Sequence, residues 1–302
     1  MNTTEIYPFR SAKTKDIYLA YNNKLAQKYW PIESETKMVE TSFGQTFIRI
    51  SGDDNNPPMV LLPGGNNTSL MWWQNIENLS RHYKTYALDN IADFGRSKPT
   101  KDIKKSDEFV SWLNELFDSL GLKEGINLIG LSYGGWLSSI YALRSQKRLN
   151  KMVLLAPAAT ILPLCKEFWV RVILSALIPN RYFTHSLINW LCENMKQKSN
   201  ASRAILKDAV EELYIGLRSF KPRKLPIPTV LKDHELREIN IPTLYLVGEN
   251  EKIYSAKHAV ERLNKIAPTI STEILPEAGH DLVFVQPDQI SIKIIEFLKQ
   301  DN

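Results

Sequence analysis

The 302-residue chain has few cysteines, no long uninterrupted apolar run and little excess of charge of one sign. Its two cysteines, Cys165 and Cys192, have neither a metal-ligand spacing nor that of a redox pair, so we expect buried or unreactive thiols. The longest apolar stretch, residues 168–179, is interrupted by Arg171 and is shorter than the roughly 20 residues of a membrane-spanning helix. The first residues contain no apolar segment typical of a secretory signal, so we expect a cytoplasmic protein.

The charge distribution also argues against nucleic acid as a partner. Lys and Arg number 38 against 33 Asp and Glu, a formal net charge of +5, and the basic residues are spread along the chain. We therefore expect a solvated surface of mixed charge and no nucleic-acid partner. With 43% hydrophobic residues the chain can bury a full core, and its length suits one large α/β domain that carries an insertion.

Short apolar runs alternate with helical segments over most of the chain, as a parallel sheet covered by helices on both faces requires. The predicted strands are 59–62, 85–88, 126–129, 152–155, 243–247 and 271–275. The predicted helices are 70–80, 106–120, 133–146, 256–266 and 287–299. Before this series, residues 38–42 and 47–51 predict a hairpin, and residues of about 10–31 predict an N-terminal helical arm that Pro31 ends.

The alternation stops between residues 158 and 240, where the segments look helical, and we interpret this region as an inserted helical cap. The α/β core is then predicted to comprise residues 1–157 and 241–302, and the proline-rich stretch 221–230 closes the cap. Apolar cap residues predict an apolar lining for a substrate pocket, with packing of the cap onto the sheet as the alternative for each one. These residues are Phe168, Trp169, Leu174, Leu177, Phe183, Leu187 and Trp190.

The strongest chemical signal is the segment Gly130-Leu131-Ser132-Tyr133-Gly134, which follows one predicted strand and precedes a predicted helix. A serine on such a tight strand-to-helix turn adopts a strained backbone, and side chains two residues away on either side would collide with it. Glycines at both places therefore predict an exposed nucleophile, Ser132. The same turn directs the Tyr133 N–H toward an oxyanion formed at the attacked carbonyl.

A second oxyanion donor is expected from the glycine-rich segment that ends the first core strand. The N–H of Gly65 is the first candidate and that of Asn66 the second, because glycines let backbone amides face a ligand. The alternative is that Gly64-Gly65 forms only a tight turn.

The base is predicted to be His280, which follows the last predicted strand on a loop. The orienting carboxylate is expected after the preceding strand, where Glu249 and Glu251 compete, and Glu251 is preferred because it lies farther along the loop. The remaining histidines lie in helical patterns or in the predicted cap, where surface or packing roles are expected: His82, His185, His234 and His258.

These motifs together resemble the α/β-hydrolase-fold superfamily of esterases, dehalogenases and C–C hydrolases. The likeness rests on LLPGGNN, LDNIADFGRSKP, GLSYGG, VGENE and EAGHD, and it covers most of the chain. It implies a mostly parallel central sheet with helices on both faces, a helical cap and the chain order nucleophile, acid, base. Within LDNIADFGRSKP the residues Asp89, Gly95 and Ser97 are interpreted as structural. The chain departs from many members of the family at Pro63, where they have histidine, and at Glu251, where they have aspartate.

The expected function is that of a carboxylesterase for small hydrophobic esters, acting through an acyl-enzyme and needing no metal or organic cofactor. Dehalogenase and epoxide-hydrolase chemistry is disfavoured, because related enzymes of those types carry aspartate at the elbow and this chain carries Ser132. The alternatives are a C–C bond hydrolase, an aminopeptidase, or a small-molecule receptor with slow turnover.

Overall fold

The computed structural model describes residues 7–222 and 225–300, so the parts of the predicted core and cap at 1–6, 223–224 and 301–302 lie outside it. Nine strands of the described chain form a single sheet. They are β1 (Glu35–Thr41), β2 (Gly44–Ser51), β3 (Pro58–Leu62), β4 (Lys84–Leu88), β5 (Lys98–Pro99), β6 (Ile126–Leu131), β7 (Leu149–Leu155), β8 (Thr243–Gly248) and β9 (Ile270–Leu275). The spatial order is β1-β2-β4-β3-β6-β7-β8-β9, with β5 beside β2.

Twelve α-helices surround this sheet in the described residues. They are α1 (Ala12–Tyr29), α2 (Ile76–Ser80), α3 (Ser106–Ser119), α4 (Tyr133–Ser145), α5 (Lys166–Leu177), α6 (Arg181–Leu191), α7 (Glu193–Lys198), α8 (Asn200–Ser219), α9 (Asp233–Arg237), α10 (Ala256–Ile266), α11 (Leu282–Val285) and α12 (Pro287–Lys299). Short 3₁₀ turns occupy Ser69–Trp72 and Gln146–Arg148.

The sheet is antiparallel where β2 pairs with β1, β4 and β5, and parallel from β4 through β3, β6, β7 and β8 to β9. The inner strands are apolar on both faces, and every residue of β6 and β8 is buried. Burial of both faces explains why these strands read as continuous apolar runs in the sequence. The predicted α/β-hydrolase fold class is confirmed.

The segment 70–80 differs from the single helix predicted there. It forms a 3₁₀ turn and the short helix α2, separated around Asn75. The buried Asn75 side chain donates to the Pro287 carbonyl and to Ser291 Oγ of α12. Contacts with a distant helix therefore determine the local conformation, which helical periodicity alone does not reveal.

Five helices, α5 to α9, lie between β7 and β8, in the region of the predicted cap. The predicted limits of 158 and 240 stay a prediction. Leu231, Leu236 and Ile239 are buried in the main hydrophobic core together with residues of the sheet. This burial favours an end of the cap near residue 230.

The predicted N-terminal arm forms α1, which packs along α8. Ser11 caps the helix, and Pro31 follows its end. Two arm side chains, Lys28 and Tyr29, both bond to Asp208 of α8 at 2.6 Å. The arm therefore contacts the helical region through α8 and the α/β core through Asn22, which accepts from Arg96. No helix of residues 7–222 and 225–300 is long and apolar enough to cross a membrane.

Candidate active site

Ser132 occupies the sharp turn between β6 and α4, with φ 51° and ψ −113°. This left-handed conformation is costly for a residue other than glycine and is held by the surrounding close packing. A methyl group at Gly130 would lie 2.3 Å from the Gly134 carbonyl oxygen, and one at Gly134 would lie 2.4 Å from that of Leu62. The two glycines are therefore required by close backbone contact, as the sequence pattern predicted.

Three side chains from separate loops form a continuous hydrogen-bonded series at this turn. Ser132 Oγ lies 2.9 Å from His280 Nε2, and His280 Nδ1 lies 2.8 Å from Glu251 Oε2. The carboxylate can only accept, so Nδ1 carries the hydrogen and Nε2 is left to accept the serine proton. The structure thus brings together all three residues that the sequence singled out.

Glu251 is enclosed and held in place from its other side. Its side chain has no exposed surface, and its Oε1 accepts from the backbone N–H of Lys252 at 2.8 Å and of Ile253 at 3.0 Å. Glu249, the competing glutamate, is exposed to solvent. The structure therefore brings Glu251, and not Glu249, to the imidazole.

Opposing influences act on the pKa of His280. Burial lowers it, but the charge of Glu251 and the hydrogen bond to that carboxylate raise it, with a smaller contribution from Asp281. The net result is a pKa of His280 above its ordinary value. The imidazolium that forms during proton transfer is accordingly stabilised.

The loop after β3 lies over the elbow. A methyl group at Gly65 would come within 3.5 Å of Tyr133 Cβ, and one at Gly64 within 3.6 Å of Ser132 Cβ. The N–H groups of Gly65 and Tyr133 have no acceptor within the described part of the chain, so both can serve an incoming oxyanion. Asn66, the second candidate donor, is not available, because its N–H donates to Asp93 Oδ2 at 2.8 Å.

The segment after β4 has a structural role, as expected. Asp89 accepts hydrogen bonds from the backbone N–H of Ser69 at 2.7 Å and of Arg96 at 2.8 Å. Ser97 Oγ donates to the Asp89 carbonyl, and Gly95 has a φ of 140° that brings its backbone against the Asp89 carboxylate. These bonds hold the loops next to the nucleophile.

A cavity of about 280 Å³ contains Ser132 and His280 in its wall and extends beneath the helical region. Of the seven apolar cap residues predicted to line a substrate pocket, Phe168, Trp169 and Leu187 line this cavity, and the other four do not. Further apolar lining comes from Met71, Val172, Ile188, Leu191, Leu213 and Phe284.

Three carboxylic acids also line the cavity: Asp93, Glu212 and Asp281. Sequence reasoning missed all three. Asp93 lies within the motif LDNIADFGRSKP and Asp281 within EAGHD, whereas Glu212 lies in an amphipathic helix where nothing distinguishes it from a solvated residue.

Comparison with known proteins agrees with this architecture. A family model described as the alpha/beta hydrolase fold matches residues 57–176. Carboxylesterase YbfK of Bacillus subtilis (strain 168) is 34% identical over 282 residues, 93% of this chain and 93% of that protein. An uncharacterized carboxylesterase of the same organism, nap, is 32% identical over 94% of this chain and 93% of its own.

A solved structure of a carboxylesterase is also similar to the chain. That of naproxen esterase (carboxylesterase NP) from Bacillus subtilis matches with a TM-score of 0.87 and 29% identity, covering 96% of this chain and 100% of that one. The similarities to these proteins extend over nearly the whole length of the chain, and the residues matched by the family model include the turn at Ser132. The chain belongs to the α/β-hydrolase fold family.

Proposed function

We propose that the protein is a carboxylesterase that acts through an acyl-enzyme formed on Ser132. The observation that carries this proposal is the series of contacts from Ser132 Oγ through the His280 imidazole to the enclosed Glu251 carboxylate, at 2.9 and 2.8 Å. Carboxylesterases that are similar to the chain over more than nine-tenths of its length support the same chemistry.

In the acylation step Ser132 Oγ attacks the ester carbonyl while His280 Nε2 takes the hydroxyl proton. Glu251 keeps the imidazole in the tautomer that leaves Nε2 free, and it stabilises the imidazolium. Negative charge develops on the carbonyl oxygen, and the N–H groups of Tyr133 and Gly65 are proposed to donate to it. One such donor is worth about 10²–10³-fold in rate.

Collapse of the tetrahedral intermediate expels the alcohol, which takes the proton from His280. Water then attacks the acyl-serine with the same imidazole as base, and the second collapse releases the carboxylic acid and restores the Ser132 hydroxyl. The largely apolar wall of the cavity favours an ester with a hydrophobic part, and a volume of about 280 Å³ suits a small one.

The experiment that tests this proposal is intact-mass analysis after incubation with a fluorophosphonate, which needs no assumption about the substrate. Wild type is expected to gain one adduct, Ser132→Ala none, and His280→Ala an adduct at a strongly reduced rate. An unmodified wild type would contradict an activated serine and would favour a small-molecule receptor. Hydrolysis of p-nitrophenyl butanoate by the same three proteins then tests the esterase activity.

A further inference from the structure

Glu212 differs from the other two carboxylic acids in the wall of the catalytic cavity. Both oxygens of Asp93 accept from backbone amides, those of Asn66 and Phe94. Both oxygens of Asp281 likewise accept from backbone amides, those of Met195 and Gly279. These two acids hold loops in place.

Glu212 has one hydrogen bond in the described part of the chain, which joins its Oε1 to Asn22 Nδ2 of the arm at 3.2 Å. Asn22 is itself buried and accepts from the side chain of Arg96, so its orientation is determined. The second oxygen of Glu212 has no protein donor among residues 7–222 and 225–300. A carboxyl group in an apolar wall is costly unless it is paired, so this oxygen is suited to a donor from a ligand.

Glu212 lies where the catalytic cavity meets a second, smaller one of about 80 Å³, which we call the side cavity. Both cavities share part of their lining, but neither Ser132 nor His280 reaches the side cavity. Tyr29 and Trp73 line it with rings whose centroids are 4.9 Å apart, and Asp208 lies in the same wall. No lysine or arginine is among its lining residues.

The chemistry of the side cavity fits a cation. A carboxylate supplies an ammonium group with opposite charge and a hydrogen-bond acceptor, and Trp73 adds aromatic surface, whereas the Tyr29 ring already has Lys28 Nζ 4.7 Å from its centroid. Asp208 is already paired with Lys28 and Tyr29, which leaves Glu212 as the acid with a free oxygen. We propose that the side cavity binds an ammonium group of the substrate through Glu212, so that the preferred substrates are esters that carry a protonated amine.

This inference rests on the proposed esterase function and specifies its substrate class. Burial raises the pKa of Glu212 to about 7, and the nearby charges of Asp89 and Asp208 act in the same direction while the bond from Asn22 opposes them. Glu212 is therefore mostly ionised at pH 8, where it can balance the charge of an ammonium group. Measurements at pH 8 test the charged form directly.

The test compares two pairs of esters in which an ammonium group replaces a methyl group. The first pair carries the change on the acyl side, p-nitrophenyl 6-aminohexanoate against p-nitrophenyl heptanoate. The second pair carries the same change on the alcohol side and compares 6-aminohexyl butanoate with heptyl butanoate. In one pair wild type is expected to favour the ammonium ester in kcat/KM by about tenfold, the effect of one charge-assisted hydrogen bond.

Glu212→Gln keeps an oxygen for Asn22 but loses the charge, so the preference ratio is expected to fall by about tenfold. The matched control is Glu211→Gln, which removes the same charge from the neighbouring residue, whose carboxylate pairs with Arg181 outside both cavities. The control is expected to keep the ratio of wild type. Equal rates within both pairs, or a preference that survives in Glu212→Gln, would overturn the inference.

Calorimetric binding of hexylammonium chloride and of 1-hexanol separates failure of this inference from failure of the esterase proposal. Hexylammonium is expected to bind wild type about tenfold more tightly than it binds Glu212→Gln, whereas hexanol binding is expected to change little. If no ester is hydrolysed but this difference is found, the side cavity is supported and the esterase proposal fails. If methyl-ended esters are hydrolysed and hexylammonium binds both proteins equally, the esterase proposal stands and the ammonium site is refuted.

Discussion

Replacement of Glu251 by glutamine alters one atom of a fully enclosed side chain and leaves its shape unchanged. The amide of the glutamine side chain can adopt two orientations. If its oxygen accepts from the N–H groups of Lys252 and Ile253, as Oε1 of the carboxylate does, its NH₂ group faces His280 Nδ1. The imidazole then accepts at Nδ1, carries its hydrogen on Nε2 and cannot take the proton of Ser132.

The opposite orientation restores the working tautomer but places the NH₂ group against two backbone donors. Losing those two buried hydrogen bonds costs about 1–3 kcal/mol each, or about 2–6 kcal/mol in total. Since about 1.4 kcal/mol corresponds to a factor of ten, the productive orientation is populated about 30-fold to 10⁴-fold less. We therefore expect kcat/KM of Glu251→Gln to fall by a factor in this range, while the free energy of unfolding changes little.

The assay is hydrolysis of p-nitrophenyl butanoate, with the urea midpoint of unfolding measured in parallel. Glu249→Gln is the matched control, because it makes the same change at the exposed glutamate of the same loop and is expected to keep the activity of wild type. A loss of less than tenfold in Glu251→Gln, or an equal loss in Glu249→Gln, would refute the reasoning about the tautomer.

Three further predictions concern the same site. Catalysis needs neutral His280, and the pKa of this histidine is raised, so kcat/KM is expected to rise with pH through an apparent pKa above about 6.5. A pH profile of kcat/KM that is already flat at pH 6 would contradict this expectation. Gly134→Ala would place a methyl group 2.4 Å from the Leu62 carbonyl oxygen, so the free energy of unfolding should fall by about 1–3 kcal/mol or more. An unchanged urea midpoint of unfolding would count against this close contact. Tyr133→Phe removes the 2.9 Å hydrogen bond from the hydroxyl to the Pro226 carbonyl and should lower the free energy of unfolding by about 0.5–1.5 kcal/mol. The backbone N–H of residue 133 is unchanged, so a kcat/KM below a tenth of the wild-type value would contradict its proposed role as the donor.

The sequence predicted the fold family because its signals are local. Strands buried on both faces appear as apolar runs in the sequence. A serine with a glycine two residues before it and another two residues after it indicates a tight strand-to-helix turn. The fold class and the membership of the family are confirmed, whereas the catalytic roles of Ser132, His280 and Glu251 stay proposals that the geometry supports. The preference for Glu251 over Glu249 followed from the expected reach across the loop.

What the sequence did not reveal depends on contacts between distant segments. The N–H of Asn66 is occupied by Asp93, 27 residues away, and no local pattern indicates that bond. Glu212 faces the cavity because the arm supplies Asn22 on its other side, 190 residues earlier in the chain. Helical periodicity identifies an apolar face but does not say which element covers the polar one.

The position of the arm also has a mechanical consequence. Lys28 and Tyr29 of the arm bond to Asp208 of α8, and Asn22 of the arm accepts from Arg96 of the core. Movement of α8 away from the arm would therefore break the ion pair between Lys28 and Asp208. Helix α5 is tied to the core at its start, where the Cys165 N–H donates to the Ile253 carbonyl at 2.8 Å, and it otherwise packs mainly against α6. The helices above the cavity are thus held by charged contacts with the arm on the side of Glu212, and by backbone bonding at Cys165 and apolar packing on the side of Phe168 and Trp169.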